Sequence, residues 1–319
     1  MDSHRGTDGG TTGGVDLTGK VSLVTGAGGG MGRVIATELA RMGSTVVIVT
    51  RGETGGERLR QQIAAEIGAD RVEVLAGDLA VQGELRRIAE QFTARHQSLH
   101  VLVNNAGAHY RQWSVNADGI EMHVSVNHLA GFGLTGLLLG PLRAGAPSRV
   151  VNVVSEAMSD ARVSKISRRP RPVTLNADEI DDLRRLNGKA GFAPFEAYAR
   201  AKLLTTMSGY YLAEQLSGSG VTVNAVHPGI VATSIVDDIA APVMKPFLGL
   251  IKRSLLTPEQ GAAATLRLAT APEMAGVTGR YFVGDSEQRS PEVSYDRALQ
   301  QRIWAASQAH FPGLEPLTS

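Results

Sequence analysis

A chain of 319 residues with 43% hydrophobic side chains is long enough to bury one large α/β core. Its 32 Lys+Arg stand against 31 Asp+Glu, with no basic patch interleaved with aromatics, which argues against a nucleic-acid partner. The chain has no cysteine, which excludes disulfides, Cys-zinc sites and a thiol nucleophile and makes a reducing cytoplasm the simplest home.

The polar, Gly/Thr-rich opening, residues 1–17, lacks the apolar run of a signal peptide and is expected to be a disordered leader. From residue 18 to 319 a single domain is expected. Short β-branched runs alternate there with segments of three- and four-residue apolar spacing, the pattern of βαβ units in a doubly wound, parallel sheet with helices on both faces. Seven strands are predicted, beginning near Val21, Thr45, Val72, His100, Arg149, Val221 and Arg280. The greasiest stretch, LAGFGLTGLLLGPL, is broken by glycines and a proline and is too short to span a bilayer, so it reads as a buried helix. The segment between 156 and 195 is long, basic and proline-broken in its middle, and is expected to line or cover a substrate site.

TGAGGGMG, Thr25 to Gly32, sits between the first strand and the first helix. Glycines at 26, 30 and 32 allow a tight turn, close backbone approach to a pyrophosphate at a helix N-terminus, and close helix-strand packing. Arg51 follows the second strand, where a carboxylate would bind the ribose hydroxyls of NAD. An arginine there pairs instead with a 2′-phosphate, favouring NADP(H) over NAD(H), unless it is only a solvated charge. Asp78, after the third strand, suits either an adenine amino group or a helix N-cap. NNAG, Asn104 to Gly107, ends the fourth strand at the edge where open α/β sheets bind ligands. Its amides can tie neighbouring strands, while Ala106 and Gly107 leave room for a cofactor. AYARAKLL places Tyr198 and Lys202 four apart on a helix, a spacing shared by catalytic pairs and by ordinary solvated faces.

In order and spacing, TGAGGGMG, NNAG, the strand-end Ser155, YARAK and HPGIVAT resemble the short-chain dehydrogenase/reductase family over roughly residues 18 to 285. VNHLAGFGLT, RVVNVVS, TPEQGAAATLRLA and GRYFVG are similar to its retinol-dehydrogenase-like branch. The resemblance implies a catalytic set of Asn127, Ser155, Tyr198 and Lys202. It sets the dinucleotide against Thr25, Gly26, Gly28, Gly30, Met31, Gly32, Arg51, Asp78, Leu79, Asn105, Ala106, Gly107, Tyr198, Lys202, Pro228, Gly229, Val231 and Thr233. It also implies a homodimer or homotetramer and a small-molecule alcohol or carbonyl substrate. The long 156–195 segment and Val154, where many relatives carry a second serine, are departures that bear on substrate identity.

The chemistry suits these residue types. Exchange of hydride between a nicotinamide and a carbonyl carbon requires a proton at the oxygen, and a phenol of pKa about 10 needs help to act as a base near neutrality. A neighbouring ammonium and an oxidised nicotinamide are expected to lower the Tyr198 pKa by ~2 to 3 units. Ser155 would polarise the carbonyl or cap a loop, and Asn127 would hold a relay water or bridge helix turns. The histidines at 109, 123, 128 and 227 show no metal-ligand spacing, and no metal is expected. Two further readings stay open: a non-catalytic dinucleotide sensor that presents its basic segment to a partner, and a reductase of C=C or imine bonds.

Overall fold

The computed structural model describes residues 14–162, 171–232, 238, 255–314 and 317. Eight strands form one sheet in the order β3-β2-β1-β4-β5-β6-β7-β8. They are β1 (Val21–Thr25), β2 (Thr45–Thr50), β3 (Val72–Ala76), β4 (Val101–Asn104), β5 (Ser148–Val153), β6 (Val221–His227), β7 (Tyr281–Val283) and β8 (Ser286–Gln288). β1 to β7 pair in parallel and are the seven predicted strands. The eighth, β8, is an antiparallel edge strand hydrogen-bonded to β7, and its three residues are polar and exposed.

Both faces of the sheet are covered, which explains the near-continuous apolar runs in β1, β2 and β4. Side chains alternate between two cores. Val46 and Ile48 of β2 join the core under α1 (Gly30–Arg41) and α2 (Glu53–Ile67), built on Ile35, Leu39 and Ile63. Val47 and Val49 join the other core, with Ile88 and Phe92 of α3 (Gln82–Thr93). The helix following β4 is irregular: α4 (Met122–Val124), a π-helical turn Ser125–Leu129, α5 (Ala130–Leu137) and α6 (Leu139–Ala144). The predicted buried helix is thus two helices, divided at Leu138.

A short helix α7 (Ala177–Ile180) precedes α8 (Pro194–Gln215), whose proline occupies the first turn, where its missing N–H costs nothing. α9 (Pro258–Thr270) opens with a reciprocal capping box between Thr257 and Gln260. α10 (Arg297–Gln308) closes the second core, its Trp304 ring 4.6 Å from that of Phe132.

Of the expected leader, residues 1–13 lie outside the described residues, as do 163–170 of the basic segment and nearly all of the stretch from 233 to 254. Leu17 donates to the Met42 carbonyl at 2.7 Å and packs on the first core.

The chain leaves β1 toward β2 and β3, then crosses back to place β4 on the opposite side of β1. That reversal opens a crevice between the carboxyl ends of β1 and β4, the position where doubly wound sheets bind ligands.

Candidate active site

Both glycine-bearing motifs meet in this crevice. Gly26 has φ +66°, and a side chain there would place its Cβ 2.8 Å from Ala106 Cα. At Gly32 a Cβ would lie 2.3 Å from the Gly26 carbonyl oxygen, so only glycine lets α1 start this close to the strand end. Thr25 joins the two motifs: its hydroxyl oxygen accepts from the N–H groups of Asn105 and Ala106, both at 3.0 Å. Asn105 Nδ2 in turn donates to the carbonyls of Thr25 at 2.9 Å and Gly26 at 3.2 Å. Asn104 Nδ2 donates to Asn152 Oδ1 and Thr135 Oγ1, tying β4 to β5 and α5. The asparagines therefore hold the edge together, while Gly28 faces open space at the head of α1. Met31, behind the turn, is buried and would lie 3.2 Å from a Cβ at Gly261 of α9.

Arg51 is exposed at the end of β2. The Tyr110 phenol is raised in pKa by burial, with the charge of Arg51 opposing and that of Asp78 adding to the shift. Asp78 Oδ1 accepts from Ala80 N at 2.9 Å, a local turn beside Leu79; the cap of α3 is Val81 instead. Pro228 is buried beyond the end of β6, followed by Gly229 at φ +90°, and Val231 pairs with Leu256 in an isolated bridge. Thr233 lies outside the described residues.

Tyr198, Lys202 and Ser155 come together at the carboxyl end of β5. Ser155 follows the strand, accepts from Ala157 N at 3.2 Å as the cap of a 3-10 turn, and lies near enough to the Tyr198 phenol to pull its pKa downward against burial. The loop-capping and phenol-facing roles thus coexist in one hydroxyl. Lys202 Nζ donates to the Val153 carbonyl at 2.9 Å and lies 5.8 Å from the Tyr198 ring centroid. A Cβ at Gly107 would stand 3.3 Å from Nζ and 3.0 Å from Asn127 Oδ1, so the glycine keeps this cradle open.

The protein's own groups work against the expected lowering of the phenol. Both groups are buried, and desolvation dominates each: Tyr198 is pushed up to about 12, against the pull of Ser155, and Lys202 is pushed down to about 8. The ammonium is committed to a strand carbonyl, so by itself it does not acidify the tyrosine.

Asn127 lies in the π-helical turn, a rare insertion that often marks a functional site. Its amide is fully engaged: Nδ2 donates to the carbonyls of Ala108 at 2.9 Å and His123 at 3.2 Å, and Oδ1 accepts from Ala108 N at 3.0 Å. The bridge runs from helix to NNAG loop as well as between helix turns. Asn127, Asn104, Val153 and Thr205 also line a cavity with room for about one water, beside which Asn104 Oδ1 has no partner among the described residues.

Several residues without a sequence signal join the site. His123 is fully buried, with Nδ1 2.7 Å from Glu121 Oε1 and Nε2 accepting from Tyr110 N at 2.9 Å. Glu121 Oε2 also accepts from Asn187 at 3.0 Å. The rings of His109, His123 and Phe195 surround Tyr198 with centroids 6.0, 6.3 and 6.4 Å away. Among the described residues no three His, Asp or Glu side chains cluster as metal ligands.

A profile described as short chain dehydrogenase matches residues 20–166, and one described as Enoyl-(Acyl carrier protein) reductase matches residues 182–286. Polyprenol dehydrogenase of Danio rerio is 34% identical over 298 residues, covering 92% of this chain and 86% of its own. Retinol dehydrogenase 14 of Homo sapiens is 34% identical with the same coverage, and retinol dehydrogenase 12 of Bos taurus is 36% identical over 293 residues, covering 92% of this chain and 86% of its own. Among solved structures, an uncharacterized protein from Mycobacterium Paratuberculosis superposes with TM-score 0.70 at 26% identity, covering 93% of this chain and 94% of its own. L-sorbose reductase from Gluconobacter frateurii, complexed with NADPH and L-sorbose, shares the fold with TM-score 0.63 at 18% identity, over 84% of this chain and 95% of its own.

The chain belongs to the short-chain dehydrogenase/reductase family. It is an NAD(P)-dependent oxidoreductase of the alcohol/carbonyl pair, and the open glycine cradle at the β1–β4 crevice fits a nicotinamide dinucleotide. Within the family it falls in the retinol-dehydrogenase-like branch.

Proposed function

We propose that the protein is an NADP(H)-dependent oxidoreductase of a fairly apolar small molecule, with Tyr198 passing the proton at the reacting oxygen. The observation that carries this reading is the placement of the buried Tyr198 ring 5.8 Å from Lys202 Nζ, which is anchored on the Val153 carbonyl at the strand end beside Ser155 and kept open by Gly107. Thr25, Gly26, Gly28, Gly30, Gly32, Asn105, Ala106 and Gly107 would hold the dinucleotide, with Arg51 at its 2′-phosphate. When bound, the nicotinamide exchanges a hydride with the substrate carbon.

Ser155 donates to the substrate oxygen and polarises it. Tyr198, with its pKa at about 12, keeps its proton at neutral pH and delivers it to the oxygen as negative charge develops there. Lys202 holds its ammonium 5.8 Å from the Tyr198 ring centroid, and Asn127 positions the NNAG loop beside it. The water-sized cavity between Asn127 and Val153 supports a relay that returns protons to the site.

The test is NADPH-dependent reduction across a panel of apolar aldehydes and ketones. Tyr198→Phe should lower kcat at least ~100-fold, the range removed with a general acid, while NADPH affinity stays within a factor of about two; retained turnover would sink the assignment. Arg51→Ala should weaken NADPH by about 10-fold or more and leave NADH nearly unchanged, as loss of a charge-assisted phosphate contact requires. Equal weakening of both would remove the NADP preference.

A second reading, reduction of a carbon-carbon double bond, takes support from the description of the profile over residues 182–286. An enoyl thioester in the same panel separates the two. We also place the protein in the cytoplasm, on its lack of cysteine, as a homodimer or homotetramer. Among the described residues no helix is long and apolar enough to cross a membrane. Cell fractionation and light scattering check the two assignments.

A further inference from the structure

His109 is the least explained polar side chain at the site. It is buried, 8% exposed, and neither Nδ1 nor Nε2 has a hydrogen-bond partner among the described residues. Its neighbour His123 is different, because both of its ring nitrogens are used. Nε2 accepts from the Tyr110 N–H, which puts the ring proton on Nδ1 and directs it to Glu121. An imidazole buried with two unpaired nitrogens is costly, and an apolar side chain would fill the same space without that cost.

The backbone that carries His109 is held on both sides. Ala108 exchanges both of its peptide groups with the Asn127 amide, and the Tyr110 N–H is fixed by His123. The ring is therefore presented rigidly, edge to face against Tyr198 at a centroid distance of 6.0 Å. Rigid placement of an unpaired polar group beside the proton-passing residue is the arrangement of a preorganised recognition group.

We infer that His109 is a specificity-determining residue whose imidazole hydrogen-bonds a second, neutral oxygen of the substrate, a hydroxyl or carbonyl carried close to the reacting carbon. The inference deepens the proposed function and rests on Tyr198 marking the reacting oxygen. Burial first, then the charge of Arg111, holds the imidazole at about 4, so it is neutral at pH 7. A neutral ring has one donor and one acceptor nitrogen, which a hydroxyl can answer on either side and a carbonyl on one. A hydrocarbon chain at this point would answer neither. The substrate is thus apolar along most of its length and oxygenated beside its carbinol carbon.

The test is isothermal titration of the protein saturated with 1,4,5,6-tetrahydro-NADP, a redox-inert cofactor analogue, so that neither ketones nor carbinols turn over. The probes are acetophenone, α-hydroxyacetophenone and phenylglyoxylate. Wild type should bind α-hydroxyacetophenone about 10-fold more tightly than acetophenone, the worth of one buried hydrogen bond. His109→Leu should abolish that preference with acetophenone affinity retained, and His109→Gln, which also offers a donor and an acceptor, should restore part of it. A wild-type protein that binds both ketones equally, or binds neither, overturns the inference, as does a preference that survives in His109→Leu. Tightest binding of phenylglyoxylate would overturn it in favour of an anion site. Because the wild-type comparison stands without any variant, it decides even if His109→Leu does not fold. A preference found without NADPH-dependent turnover of either ketone would count against the oxidoreductase reading and leave His109 assigned.

Discussion

Lys202 shows what the site costs the fold. It is 3% exposed, and burial alone lowers its pKa from 10.5 to about 8. Below pH 8 both the folded and unfolded states carry the proton, and the folded state bears the full penalty, about 3 kcal/mol for a shift of this size. Between about 8 and 10.5 the unfolded chain binds the proton more strongly, so this penalty shrinks and the contribution to stability improves as pH rises. Lys202→Met removes the penalty and forfeits one hydrogen bond to Val153, worth ~1 kcal/mol. The variant should therefore be inactive yet more stable at pH 7, by about 2 kcal/mol. Urea denaturation should show its advantage over wild type constant below pH 8 and narrowing toward pH 10; a less stable variant at pH 7 would mean that the Val153 contact outweighs desolvation.

At the scale of elements, the glycine-rich turn depends on contact between backbones. Gly32→Ala would set a methyl 2.3 Å from the Gly26 carbonyl oxygen and 2.5 Å from Asn105 Nδ2. Relief requires α1 to move off the strand ends, which should cost about 1–3 kcal/mol as overpacking does. NADPH affinity, read by fluorescence titration, should fall with it, whereas Gly28→Ala, whose Cβ meets nothing within 4 Å, should fold as stably as wild type. Equal stability of the two variants would separate α1 packing from the turn. This turn was legible in the sequence because strand, glycines and helix are contiguous. The π-helical turn was not: apolar spacing through MHVSVNHLAGF reads as one unbroken helix, and one extra residue per turn leaves no periodic trace. β8 was hidden for another reason, since Ser286–Gln288 is polar and exposed on the edge and is a strand only because β7 pairs with it. His109 and the Glu121–His123 pair escaped likewise, because a buried polar partner is defined by tertiary contact; the adjacency of His109 to NNAG was the one clue available.

Across the whole molecule, the core on the α8 face is sealed by residues that follow the last helix. Phe311 is fully buried three residues beyond α10, and Gly133 of α5 makes room for it: a Cβ there would stand 2.4 Å from the Phe311 ring. Its ring lies 6.0 Å from that of Phe132, which is packed on Trp304, and Arg86 of α3 donates to the Pro312 carbonyl at 2.7 Å. The C-terminal segment thus spans α3, α5 and α10 on the face that carries α8. The catalytic end of α8 and the dinucleotide crevice lie at the carboxyl edge of the sheet, set by β1, β4 and β5. Phe311→Ala should therefore lower stability by about 3–5 kcal/mol, the cost of a large cavity in a rigid core. That is a substantial fraction of the roughly 5–15 kcal/mol that holds a domain together. NADPH affinity of the protein that remains folded should stay within about twofold of wild type, because no cradle contact is lost. Denaturation midpoints paired with a cofactor titration at low temperature check both halves. A stable variant would show that this core closes without its C-terminal seal, and a weakened cofactor site in a stable variant would reveal coupling from Phe132 through the π-helical turn to Asn127.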